Sequence, residues 1–134
     1  MSQAAPSFHV TEIDYDNLEL GARYQLTEIY FNSGDSPLRE DSRPLLEELA
    51  GFLNGHPTLT MEIGGHTDTD GDAAANEALS EARSRAVVAD LVGHGISAER
   101  LSSKGYGSSM PIAPNDSPAN KQLNRRTELK VNHK

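Results

Sequence analysis

The stretch LTMEIGGHTDTDGDAAANEALSEARSRAVVADLVGHG, residues 59–95, decides the fold. Leu59-Thr60-Met61-Glu62-Ile63 alternates apolar with polar side chains, the period of a half-buried strand. It runs into Gly64-Gly65, where missing β-carbons permit a sharp turn or the close approach of another backbone. From Asp72 to His94 the chain is rich in Ala and Glu, with Leu79, Ala82, Ala86, Val87 and Leu91 at helical spacing. Gly95 stands where a glycine ends a helix. The unit is therefore a strand, a short acidic loop and the longest helix of the chain.

On the N-terminal side, Phe8–Ile13 and Tyr24–Tyr30 alternate as strands do, with Gly21 permitting a turn between them. Ser33–Pro37 is a loop by composition, and Leu45, Leu46, Leu49, Phe52 and Leu53 form one apolar helical stripe. Ser42 with Pro44 marks the start of that helix, and Asn54–Pro57 its end. On the C-terminal side, Leu101–Gly107 and Thr127–Val131 read as strands. Residues 108–120, with three prolines, read as a long loop. The order β-β-α-β-α-β-loop-β predicts an α+β fold, in which two main helices cover one face of a mixed sheet and the other face meets solvent.

Composition alone would not secure a fold. Leu, Ile, Val and Phe make up 27 of 134 residues, near the ~20% edge below which a charged chain stays disordered. The net charge is −8, and it is unevenly placed: residues 1–99 hold 18 acids and 5 bases, residues 100–134 hold 2 acids and 7 bases. An acidic body repels phosphates, and the basic tail is neither arginine-rich nor interleaved with aromatics, so no nucleic-acid partner is expected. The absence of cysteine excludes a disulfide framework, a thiol nucleophile and zinc–thiolate sites. No stretch approaches the ~20 apolar residues of a membrane span, and Met1–Phe8 lacks the features of a secretory leader.

Three groups of residues bear on chemistry. Asp68, Asp70 and Asp72 alternate as at the start of a calcium loop, but the sixth position is Ala73 and the twelfth Leu79, so a metal is not expected. A calcium-stabilised interaction module is carried as the alternative function. His66 precedes Asp68 by two residues, which raises a small hydrolase or a His/Asp metal cluster, yet no nucleophile elbow, phosphate loop or second nearby histidine accompanies it. A histidine hydrogen-bonded locally at a strand end is expected instead. The third group is stronger. Asn76 and Arg83 lie two helical turns apart on one helix face, with Leu79 between them and Asp68 just ahead. Spacing alone leaves two readings, an Asp68–Arg83 ion pair tying loop to helix or a receptor for a zwitterion, and favours the first.

The order of motifs resembles the OmpA-like peptidoglycan-binding domain of outer-membrane porin tails, peptidoglycan-associated lipoproteins and flagellar stator subunits. The likeness runs from about Tyr24 to Val131. It rests on Ile29-Tyr30-Phe31-Asn32, Gly65-His66-Thr67-Asp68 with Gly71, Asn76-x-x-Leu79-Ser80-x-x-Arg83, Gly95-Ile96, Arg100-Leu101, Gly105-Tyr106-Gly107, Pro111-Ile112 and Asn124-Arg125-Arg126. The resemblance implies a βαβαβ-type sheet over residues 24–134 with an N-terminal strand extension over 1–23. It also implies non-enzymatic, cofactor-free binding of the diaminopimelate residue in peptidoglycan stem peptides. Asp68 would take the ligand's ammonium and Arg83 its carboxylate. Asn76, Arg125 and Asn32 would add polar contacts, and Thr67 and Leu79 would line the pocket. A pocket of this kind is expected to keep Asp68 and Arg83 partly open to solvent when empty. The implied location is the periplasm at the outer membrane or envelope, with membrane attachment only through segments outside this chain. Gly34 departs from the usual Asp or Asn, with Asp35 beside it; Ser84 replaces Ala and Thr127 replaces Val.

Overall fold

Strands Ser7–Phe8 (β1), Arg23–Leu26 (β2), Thr60–His66 (β3), Leu101–Gly107 (β4) and Arg126–His133 (β5) form one mixed sheet in the order β1-β2-β5-β3-β4. This is a computed structural model describing residues 7–8, 15–26, 29–32 and 34–134. β5 runs antiparallel to both β2 and β3, while β3 and β4 are parallel. Helices Arg43–Gly55 (α1) and Ala73–Gly93 (α2) share one core with the sheet. The architecture is the expected α+β arrangement.

Local sequence explains the helix limits. Asp72 caps α2 by accepting a hydrogen bond from Ala75 N at 2.9 Å, and Gly95 adopts φ 95° just beyond its end. Ser42 precedes α1, but its hydroxyl makes no cap. It bonds instead to the backbone of Tyr30, accepting from N at 2.7 Å and donating to O at 3.2 Å, and so ties the helix start to the segment after β2. Leu45, Leu46, Leu49 and Leu53 of α1 are buried with Met61 and Ile63 of β3, Leu129 and Val131 of β5, and Val87 and Leu91 of α2. The apolar stripe of α1 is thus the core face the spacing predicts.

α2 lies unusually close to the sheet. Gly65 and Gly105 are register partners on β3 and β4. A β-carbon on Gly65 would stand 2.3 Å from the Ser80 carbonyl oxygen, and one on Gly105 would stand 2.5 Å from Glu81 N. The helix backbone therefore rests directly on two bare strand positions. Of the two readings of Gly64-Gly65, close approach holds at Gly65, whereas Gly64 faces the Tyr106 ring on the opposite side of the sheet.

Several expectations are corrected. Pro118–Asn124 is a helix (α3) within and beyond the predicted loop; Ser117 caps it by accepting from Asn120 N at 3.2 Å, and Pro118 sits in its first turn. Its apolar content is too small for periodicity to reveal it. β2 stops at Leu26 and Ile29-Tyr30 is not strand, while residues 27–28 lie outside the described set. Among the described residues, strand pairing in the extension covers Ser7–Phe8, parallel to β2, and the predicted continuation 9–13 also lies outside the described set. Leu18 is buried in the core and Gly21 N–H donates to Val131 O, so residues just before β2 pack as part of the same body.

Candidate functional site

β3 ends at His66, and the chain turns off the sheet through Thr67 and Asp68 before Asp72 starts α2. Thr67 N–H donates to Gly107 O at 2.8 Å, which fixes this turn to β4. Above it opens a cavity of about 790 Å³. Its wall includes Thr67, Asp68, Asn76, Leu79, Arg83 and Arg125, six of the seven residues singled out from sequence. The seventh, Asn32, is not in the wall: its side chain accepts from Arg39 at 3.4 Å, and its carbonyl holds Arg83. Ile29, Tyr30, Phe31 and Leu123 give the cavity an apolar side, with Tyr30 and Leu123 both exposed.

Each charged group already has a partner. Arg83 donates through Nε to Asp35 O at 2.8 Å and through Nη2 to Asn32 O at 3.1 Å, and its guanidinium lies 4.8 Å from the centroid of Phe31. Burial lowers its pKa from the usual arginine value, the Asp35 charge opposes this and the Arg125 charge adds to it. Asp68 is 5% exposed. Its Oδ1 accepts from Asp70 N at 2.8 Å, and its Oδ2 pairs with Arg125 Nη1. The other nitrogen of Arg125 donates to Gln122 Oε1 at 2.7 Å.

These contacts correct two expectations. Asp68 is buried beneath a guanidinium rather than open, and no ion pair joins it to Arg83 among the described residues. Arg83 is half-buried. Asn76 reaches the loop, donating to Asp70 O at 2.8 Å and Asp68 O at 3.4 Å, so it also braces the turn. The three alternating carboxylates do not converge as a calcium loop requires. Asp68 pairs with Arg125, Asp70 with Lys121 at 2.9 Å, and Asp72 caps α2.

His66 is not bonded locally. Its ring stacks on Tyr106 at 5.0 Å, and Nε2 lies 3.1 Å from Glu128 Oε1 of β5, close but poorly aligned, while Nδ1 has no partner among the described residues. Glu128 also pairs with Arg126 at 2.8 Å, so this supposedly solvated sheet face holds a buried polar cluster. Spacing sets Arg126 beside Glu128 on one face of β5, but only the β3–β5 register brings His66 to them. Burial alone would raise the Glu128 carboxyl, but His66 and Arg126 outweigh it and bring the pKa from 4.5 down to about 2. Burial lowers the His66 pKa below 6.5 against the opposing pull of Glu128.

The sign of the pH effect follows. Both folded pKa values lie below their unfolded ones, so the unfolded chain binds more protons and stability falls on acidification. The His66 contribution begins to fade as pH drops below 6.5, and that of Glu128 is lost between 4.5 and about 2. The Glu128 share is on the order of 3 kcal/mol. Urea titrations across this range are expected to show the loss, and Glu128→Gln to flatten it below pH 4.5. An unchanged acid limb in the variant would place the acid sensitivity elsewhere.

Comparison with known proteins matches residues 30–125 to the OmpA family. Outer membrane porin F of Pseudomonas fluorescens is 35% identical over 104 residues, 78% of this chain and 32% of its own. Peptidoglycan-binding protein ArfA of Mycobacterium bovis is 35% identical over 101 residues, 75% of this chain and 31% of its own. Among solved structures, the peptidoglycan-associated lipoprotein of Burkholderia pseudomallei superposes with a TM-score of 0.72 at 28% identity, covering 77% of this chain and 87% of that one. The matched segment is 12–32% of the length of the first curated relatives. With the family match spanning well over half of the chain, including the turn after β3 and the helix α2 that wall the cavity, the chain belongs to the OmpA family.

Proposed function

We propose that this chain binds peptidoglycan non-covalently through the diaminopimelate residue of its stem peptide and anchors an envelope component to the wall. Asp68 takes the ligand's ammonium and Arg83 its carboxylate; Asn76 and Arg125 add polar contacts, and Thr67 and Leu79 line the seat. Asn32 enters as a positioning residue, through the carbonyl that holds Arg83. The observation that carries this reading is one cavity walled by the buried Asp68 carboxylate, by guanidiniums that include Arg83 and Arg125, and by an apolar side. Asp68 and Arg83, opposite charges in one depression that do not pair with each other, suit a zwitterion on an aliphatic chain. The names of two relatives, a peptidoglycan-binding protein and a peptidoglycan-associated lipoprotein, support peptidoglycan as the partner.

Domains of this family in porin tails and peptidoglycan-associated lipoproteins are structural rather than enzymatic, so binding proceeds without turnover. The working location is the periplasm. No helix among the described residues is long and apolar enough to cross a membrane. We take residues 24–134 as the binding domain and 1–23 as its extension.

The test is ligand chemistry. Lysine lacks the second carboxylate that Arg83 is assigned to hold. Wall fragments carrying diaminopimelate are therefore expected to bind more tightly than lysine fragments by about 1.5–3 kcal/mol, the range of a charged hydrogen bond. Calorimetry with matched muropeptides measures the difference, and equal affinities would remove the assignment.

A further inference from the structure

We propose that Arg125 is a resident stand-in for the ligand's ammonium, and that binding is an exchange in which Arg125 leaves Asp68 for the ligand's carboxylate. The inference rests on the binding mode proposed above and adds a specificity-determining role for one residue. Asp68 has one carboxylate oxygen committed to Asp70 N and the other to Arg125 Nη1. At 5% exposure it has no face left on which an incoming ammonium can settle while Arg125 remains.

Arg125 is built to leave. It is the residue immediately after α3, and its side chain is 39% exposed although its partner carboxylate is only 8% exposed. Its remaining tie, to Gln122 Oε1, is a neutral contact on the protein surface. The destination is near: Arg125 and Arg83 line the same cavity. Two guanidiniums on one cavity wall suit an anion that satisfies both.

Exchange makes the site answer to two charges at once. An amine without a carboxylate swaps one ion pair for another and leaves Arg125 unpaired, against a competitor that is tethered and so present at high effective concentration. A carboxylate without an amine draws Arg125 away and leaves a buried Asp68 uncompensated. A zwitterion alone closes both accounts, because its ammonium replaces Arg125 and its carboxylate receives it.

The experiment titrates the full chain at low salt with free meso-diaminopimelate, with its doubly decarboxylated diamine, and with the diacid lacking both amines. The parent is expected to bind only the first. Arg125→Gln is expected to lose about tenfold or more in diaminopimelate affinity and to gain saturable binding of the diamine, because the Asp68 seat is vacated. A variant that keeps parental diaminopimelate affinity and still refuses the diamine overturns the proposal, as does one that loses diaminopimelate without gaining the diamine. Should the variant fold poorly, guanidinium NMR of the parent decides: the Arg125 signals must move with diaminopimelate and stay with the diamine, and still signals overturn the exchange. Asp68→Asn and Arg83→Ala separate this from the underlying reading. If both bind diaminopimelate as the parent does, the binding mode itself fails, whereas loss in both with an unaltered Arg125→Gln profile overturns only the exchange.

Discussion

Gly65→Ala is expected to destabilise the protein by at least about 3 kcal/mol, the upper part of the range for overpacking a core, and Gly105→Ala to do the same. The added carbon on Gly65 meets the Ser80 carbonyl oxygen at 2.3 Å, about 1 Å short of the ~3.3 Å at which carbon and oxygen come to rest. On Gly105 it meets Glu81 N at 2.5 Å, Ser80 Oγ at 2.7 Å and Glu77 O at 2.8 Å. These are mostly backbone atoms of α2, so no rotamer change relieves the contact and the helix itself must rise. Rising is opposed by Val87 and Leu91, which seal the same helix into the core with no exposed surface. Gly51→Ala supplies the contrast, since it lies within α1 with nothing within 4 Å of an added carbon. There the change is expected to stabilise by roughly 0.5–1 kcal/mol through helix propensity. Urea denaturation of the three variants checks both signs. A Gly65→Ala protein within about 0.5 kcal/mol of the parent, the scatter of ordinary surface changes, would mean that α2 is not seated as described.

The glycine seat also sets the site. Ser80 rests on Gly65 and Gly105, and Leu79 and Arg83 are its neighbours on the helix that walls the cavity. The depth of α2 on the sheet therefore decides how far Arg83 reaches toward the segment after β2.

What sequence made legible here were features with a local signal. The glycine that ends α2, the stripe Leu45–Leu53, the alternation of β3 and the spacing of Asn76 and Arg83 all depend on residues within two helical turns of each other. Partnerships set by distant chain segments were not legible. Arg125 reaches Asp68 across 57 residues, and Arg83 bonds to carbonyls of Asn32 and Asp35, 51 and 48 residues away. A backbone carbonyl is invisible in a sequence because every residue carries one, so nothing in the identity of residues 32 and 35 announces that they hold an arginine. The His66–Glu128–Arg126 cluster was hidden for a related reason: on β5, alternation marks which residues face away from the helices but not whether that face is covered. The resemblance supplied Arg125 as a site residue, and the geometry alone supplied its partner.

Arg83→Ala is expected to abolish peptidoglycan capture while leaving a cooperative melt. The fold loses two hydrogen bonds to the Asn32 and Asp35 carbonyls and the contact with Phe31, all at a half-buried edge. At about 0.5–1.5 kcal/mol each, losing these bonds frees the Asn32 and Asp35 carbonyls without removing core. The bound state loses more. A ligand carboxylate left in the cavity without the Arg83 guanidinium forfeits roughly 2–5 kcal/mol, so affinity falls by orders of magnitude. Arg83→Lys is expected to recover little, because one ammonium cannot serve two carbonyls and a carboxylate with the planar fork that Arg83 presents. At Asp68 the informative change is Asn rather than Ala. It keeps an oxygen for Asp70 N–H, removes only the charge, and lets the half-exposed Arg125 turn to solvent. Leu49→Ala is the reverse control: a side chain with no exposed surface, expected to cost about 2–5 kcal/mol of stability while the folded fraction still binds the wall. Pull-down with purified sacculi beside thermal melts separates the two kinds of loss. If Arg83→Ala melted like Leu49→Ala, or Asp68→Asn bound the wall like the parent, these charges would be ties between loop and helix. The family likeness would then carry the fold without its ligand.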